Sequence, residues 1–156
     1  MTKIVEKLYR LLVVAASSLK SPFLLIVRLY WGWQLAQSGW GKLHNIDKVT
    51  EFFTSLGLPA PGLTAHFIAS LEFVGGVLLI LGLASRLIAL ALTINMIVAF
   101  IIADHDALMS IFSNPDKFYA AAPYTFLFAS LLVLIFGPGL FSVDAVIGKL
   151  KHADAI

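Results

Sequence analysis

An all-α membrane protein, a four-helix transmembrane bundle, is what this sequence predicts, and three observations predict it. Apolar residues make up 60% of the chain and charged residues only 13%, against about 25% charged in an ordinary soluble domain. A chain of 156 residues leaves too many positions on its surface for a buried core to absorb that excess, so the surface itself is apolar. Four apolar stretches also have roughly the 20 residues that about 30 Å of hydrocarbon requires.

The first element precedes the spans. Ile4, Val5, Leu8, Leu11, Leu12, Ala15 and Leu19 recur at helical spacing, while Lys3, Glu6, Lys7, Arg10, Ser17 and Ser18 fall elsewhere. That pattern predicts an amphipathic interfacial helix over residues 1–21, its basic side toward lipid headgroups. A cleaved leader would also start basic and carry small residues such as Ala15-Ala16-Ser17-Ser18. The amphipathic spacing begins at residue 4 rather than after the charges, which favours a retained helix.

The bundle domain is expected over residues 22–144. Its spans run from Pro22 to Gly41, Thr64 to Leu83, Arg86 to Ala103 and Ala120 to Gly137. Proline suits the first position of a helix, and Gly137-Pro138-Gly139 stops the last one. In the first long loop, Val49, Phe52, Phe53 and Leu56 form the stripe of a short helix. Gly57 ends that helix and Pro59-Ala60-Pro61-Gly62 turns the chain back. The other long loop could do the same with Leu108, Ile111 and Phe112. Residues 145–156 form a tail.

Orientation follows from Lys and Arg. Seven of them (Lys3, Lys7, Arg10, Lys20, Arg86, Lys149, Lys151) fall on the side of the two termini and three (Lys42, Lys48, Lys117) on the other. Both termini are therefore expected in the cytoplasm, with the long loops outside.

Two full charges, Arg28 and Glu72, lie within spans, where each costs about 2.5–3.5 kcal/mol near the bilayer centre. At about 1.5 Å per residue they lie roughly 9 and 16 Å from the cytoplasmic face, with Gln34 and Asn95 at similar depth. Tyr30, Trp31 and Trp33 share that layer. Arg28 could reach Glu72, although helical side chains lean toward their own N-terminus and so tilt these two apart in antiparallel helices. Arg28, Gly32, Leu35, Gly39 and Lys42 fall on one line, and Tyr30, Gln34 and Gln37 face the opposite way. Small residues four apart (Ala65, Ala69 and Gly76 beside Glu72; Ala91 and Ala99 around Asn95) favour close helix contact with polar groups bonding across it. Arg28, Tyr30, Trp31, Gln34, Glu72 and Asn95 thus admit two readings. They are packing contacts, or they line a mid-membrane pocket whose aromatic walls suit a flat ligand such as a quinone.

Several chemistries find no support. The chain has no cysteine, so thiol relays, disulfides and thiolate metal sites are excluded. His44, His66 and His105 lie near the outer face with carboxylates, but no ligand spacing links them, and no metal site is expected. No basic run interleaves with aromatics, so no nucleic-acid partner is expected. No phosphate-cradling loop or nucleophile–base pair assigns a catalytic residue.

The arrangement resembles the DoxX family of small four-helix membrane proteins. The likeness rests on Arg28 and Gly32, Gly41-Lys42-Leu43, Gly57-Leu58-Pro59, Glu72-Phe73-Val74-Gly75-Gly76, Leu81-Gly82-Leu83-Ala84-Ser85-Arg86 and Gly137-Pro138-Gly139. The family positions carried over are Arg28, Lys42, Glu72, Gly75, Gly76 and Arg86. The resemblance implies a helical bundle in a prokaryotic cytoplasmic membrane. It also implies company in redox complexes, since some relatives are subunits of thiosulfate:quinone oxidoreductase and others belong to membrane complexes that handle oxidative stress. Two functions are therefore carried forward. One is a non-thiol, quinone-linked oxidoreductase subunit with a polar pocket. The other is a non-catalytic scaffold or assembly protein whose polar core only specifies packing. A transporter has less to recommend it, since four helices without a repeat give little to alternate. Membrane lipids and either a protein partner or a second copy are the expected company.

Overall fold

The computed structural model describes residues 2–153, and among those residues every regular element is a helix, with no strands. The order is α1 (Thr2–His44), α2 (Ile46–Ser55), α3 (Pro61–Leu81), α4 (Ser85–Ile102), α5 (His105–Met109), α6 (Pro115–Ala120), α7 (Ala122–Phe136) and α8 (Val143–Ala153). The tail expected over 145–156 is part of α8 as far as Ala153; residues 154–156 lie outside the described residues.

Among the described residues three helices, α1, α3 and α4, are long and apolar enough to cross a membrane. Several helices of this kind are what a multi-pass membrane protein needs. The fourth apolar helix, α7, has 15 residues, about 22 Å at the α-helical rise, and so is shorter than the expected span. Ala121 is extended (φ −66°, ψ 134°) and separates α6 from α7. Pro123 follows at the start of α7, where it fits the first turn.

The N-terminal segment also differs from expectation. Residues 2–44 form one helix with Pro22 inside it, so the amphipathic stretch and the first span are one element. An interior proline removes one hydrogen bond and crowds the preceding turn, a defect that membrane helices tolerate.

The tightest contact joins α1 to α3. A Cβ added at Gly76 would stand 2.5 Å from the Ala36 nitrogen and 2.6 Å from the Gly32 oxygen, and one at Gly39 would overlap the Phe73 backbone. Small residues thus let the two backbones touch. The next most extensive contact pairs α4 with α7. Between the two pairs sits a core of Val27, Leu35, Leu79, Ala89, Leu92, Met96, Ala129 and Val133. A second cluster, in which Phe100 stacks on Phe118 with centroids 5.1 Å apart, pins the α5–α6 segment against α4 and α7.

One end of the bundle carries the long loops and the other the tight α3–α4 turn. Arg28 locks the turn end. Its Nε donates to the Leu79 carbonyl (2.8 Å), Nη2 to Ile80 (3.0 Å), and Nη1 to both Pro138 and Phe141. It therefore ties the end of α3 to the chain that follows α7. Gly82 ends α3 with φ +69°, and a Cβ there would strike Ser142 and the Arg28 guanidinium. Ala84 adopts φ +48°, unusual for a residue with a side chain, and Asp144 holds it in place. The Asp144 carboxylate accepts from the Ala84 and Ser85 N–H groups at 2.8 Å each, capping α4 from a distant part of the chain. Burial raises the Asp144 pKa. The hydrogen bonds from Ser85 and Ala84 and the Arg28 charge outweigh that effect and hold it below the usual carboxylate range.

Candidate ligand site at the loop end

Toward the loop end, α1 brings Ser38 and Lys42 one turn apart to the face that packs on α3. There they meet Glu72. The Lys42 Nζ lies 2.5 and 2.6 Å from the two carboxylate oxygens. Ser38 Oγ donates to the same carboxylate at 3.0 Å, and Asn95 on α4 reaches it at 3.5 Å. Glu72 is buried while about a third of the Lys42 side chain is exposed, so one partner anchors and the other opens upward. A buried carboxylate needs this much company, because an uncompensated charge there would cost several kcal/mol.

Direction explains the partnership. Helical side chains lean toward their own N-terminus. On α1 that carries Lys42 down from the loop end into the bundle, and on antiparallel α3 it carries Glu72 up to meet it. Arg28 leans toward the turn end instead. The possible Arg28–Glu72 pair does not form, and each charge finds its partner in the direction of its own lean.

Above this group opens a cavity of about 510 Å³. Lys42, Glu72, Asn95 and Ser38 form its polar base. Its walls are apolar: Ile68 of α3, Met96, Ala99 and Ile102 of α4, and Pro123 and Phe126 of α7. Val49, Phe52 and Phe53 of α2, and Leu56 just past its end, also line it, so the apolar stripe of the loop helix faces the cavity. Lys48 and Asp104 bring charge to the rim. Ile102 and Val98 are exposed on the flank of the bundle as well as lining the space. The cavity is therefore bordered by lipid-facing helix on that side.

Of the six residues expected to share a pocket, only Glu72 and Asn95 line this cavity. Arg28 is at the turn end. Tyr30 packs edge-on to Trp31 at 5.0 Å and is exposed on the outside of α1, Trp31 packs against the core, and Gln34 is half-buried. Lys42 and Ser38 are additions. Of the other family positions, Gly75 lies against Leu92 and Gly76 against α1, so both serve packing. Arg86 lies near Gly137 at the turn end. The histidines are dispersed: His44 and His66 bond carbonyls one turn back, Trp40 and Gly62. Among the described residues, no three His, Cys, Asp or Glu side chains come together in a way that could hold a metal ion.

The family model for DoxX matches residues 23–105, over half of the sequence. The chain belongs to the DoxX family. The match spans α1 from just after Pro22, the loop helix, α3 and α4, and so includes every polar residue at the base of the cavity. This DoxX chain is also similar to a protein of Bacillus subtilis (strain 168) that bears the name "Putative oxidoreductase CatD". The two are 28% identical over 127 residues, 81% of this chain and 88% of that protein. No solved structure matches the chain.

Proposed function

We propose that this DoxX protein is a non-thiol membrane subunit of a quinone-linked redox system, and that its loop-end cavity is the ligand site. The observation that carries this reading is the polar base of an otherwise apolar cavity. Lys42 has a third N–H beyond the two it gives Glu72, and Asn95 has an amide carbonyl and a second N–H. Together they offer donors to one ligand oxygen, with the Glu72 carboxylate adjacent to take or return a proton. A ring bearing carbonyl or hydroxyl oxygens suits such donors, and its apolar tail suits the lipid-facing flank. The name of the Bacillus subtilis relative points to the same class of chemistry. Electrons would pass to or from a partner protein, since this chain has no thiol to carry them.

In this reading the protein sits in a prokaryotic cytoplasmic membrane with both termini in the cytoplasm, as the seven-to-three split of Lys and Arg favours. The loop end and its cavity then face outward. The scaffold alternative draws on Arg28, a buried charge spent wholly on backbone carbonyls. Packing alone gives no account of the cavity.

The test is native mass spectrometry of the protein gently extracted from its own membrane, with lipid extraction in parallel. A stoichiometric isoprenoid quinone is expected. Ala99→Phe, which fills the cavity without touching the ion pair, should remove it. Phospholipid alone in both proteins would sink the proposal.

A further inference from the structure

We propose that the free face of α1 is the interface for a second copy of this chain, the two α1 helices running parallel about a two-fold axis along the membrane normal. At the α-helical rise, α1 is about 65 Å long, roughly twice the thickness of the hydrocarbon core. Residues 3–20 are exposed on every side, and from that half into the span one apolar stripe continues in line. In the N-terminal half it consists of Val5, Leu8, Leu12 and Leu19, and in the span it continues through Ile26, Tyr30, Trp33 and Gln37. At 100° per residue these eight positions fall within about 80° of arc, and their spacing follows steps of three, four and seven, the pattern of a helix–helix seam. The seven apolar or aromatic members are each more than half exposed, and Gln37 is exposed too. The polar stripe of Lys3, Lys7 and Arg10 lies on the other side, in line with the face that α3 covers farther along.

The choice of a second copy rests on three features. Lipid tails can cover Ile26 but offer nothing to the Gln37 amide, which sits within the span without a hydrogen-bond partner among the described residues. An amide is donor and acceptor at once, so Gln37 is satisfied by its own counterpart, as a two-fold contact requires of any residue on its axis. No charged side chain belongs to the stripe, so two parallel copies meet without like-charge repulsion. The helix also runs unbroken through Pro22, which holds the N-terminal apolar stripe in line with the span rather than laid flat on headgroups.

The absence of cysteine makes the test direct. Four single-cysteine variants of the full chain, Leu12→Cys, Gln37→Cys, Lys7→Cys and Arg10→Cys, are reconstituted in phosphatidylethanolamine–phosphatidylglycerol vesicles and oxidised with copper phenanthroline. Positions 12 and 37 should yield a species of twice the 17.0 kDa chain mass, and positions 7 and 10 should not. A monomer at all four positions, or cross-linking indifferent to position, overturns the proposal. Stripe protection by lipid, read by bilayer quenchers in a monomeric protein, overturns it as well. In a dilution assay by energy transfer, Gln37→Leu should weaken self-association by about threefold to thirtyfold. Unchanged association would remove Gln37 from the interface and with it the argument for a second copy.

Discussion

Replacing Arg28 by alanine strips four hydrogen bonds from the turn end at once. The Leu79 carbonyl keeps the Gly82 N–H as a second donor, but the Ile80, Pro138 and Phe141 carbonyls lose the donor that Arg28 supplied. An unsatisfied buried carbonyl costs about 1–3 kcal/mol. Three of the four bonds are only partly buried, so water relieves some of that cost and the expected loss is about 3–5 kcal/mol. Arg28→Lys keeps the charge but not the planar fork that reaches two strands of chain, and should recover about half of it. The assay is equilibrium unfolding in mixed micelles with rising dodecyl sulfate, followed by far-ultraviolet circular dichroism and tryptophan fluorescence. Ala at position 28 within about 1 kcal/mol of the parent would refute the latch. A double-mutant cycle with Glu72→Ala adds a second check. The two sites share no partner, so their effects should add within about 0.5 kcal/mol, and strong coupling would revive a direct Arg28–Glu72 pair.

Two further predictions test the frame around the site. Gly76→Val should cost about 1–3 kcal/mol, because the added carbon meets the α1 backbone, while Gly41→Ala, with nothing within 4 Å of its added carbon, should be harmless in the same unfolding assay. Asp144→Ala should cost about 1 kcal/mol near pH 7, the usual value of a lost cap. Because the folded pKa of Asp144 is lowered, its contribution is fully present above the unfolded value of about 3.9 and is lost as pH falls through the folded one. The gap between parent and variant should therefore begin to narrow as pH falls below about 4, and a gap that does not shrink with falling pH would contradict the assignment.

The helical class was legible because apolar run length and composition leave little choice for a chain this short. The loop helix was legible from the spacing of Val49, Phe52, Phe53 and Leu56. Less legible were its ends and interruptions. Pro22 reads as a start signal, yet the apolar pattern on both sides carries the helix through it. The fourth span reads longer than α7 because Ala120 and Ala121 are apolar, and composition does not reveal that Ala121 is extended and separates α6 from α7. At the site, depth along the helices put Glu72 and Asn95 on one level but grouped them with Arg28, which faces the other end. Side-chain lean was the signal that separates them, and applied to Lys42 it leads to Glu72. Asp144 carried no signal at all: its role depends on a contact 60 residues away along the chain with Ala84.

These corrections change what the family positions mean together. Arg28, Gly82 and Gly137-Pro138-Gly139 converge at the turn end, where they fix how the chain after α7 returns to α1 and α3. Gly76 and Gly39 weld α1 to α3, and that weld sets the register in which Lys42 meets Glu72. The bundle then consists of two close pairs, α1 with α3 and α4 with α7, joined by less extensive contacts. The cavity lies where the pairs part, and Asn95, at the 3.5 Å limit of a hydrogen bond to Glu72, is the side chain of the second pair that reaches the ion pair of the first. A ligand oxygen accepting from Asn95 and Lys42 would bridge that gap. The same group that binds it would then report its presence to both halves of the bundle, while the Arg28 latch at the far end keeps the two halves from separating.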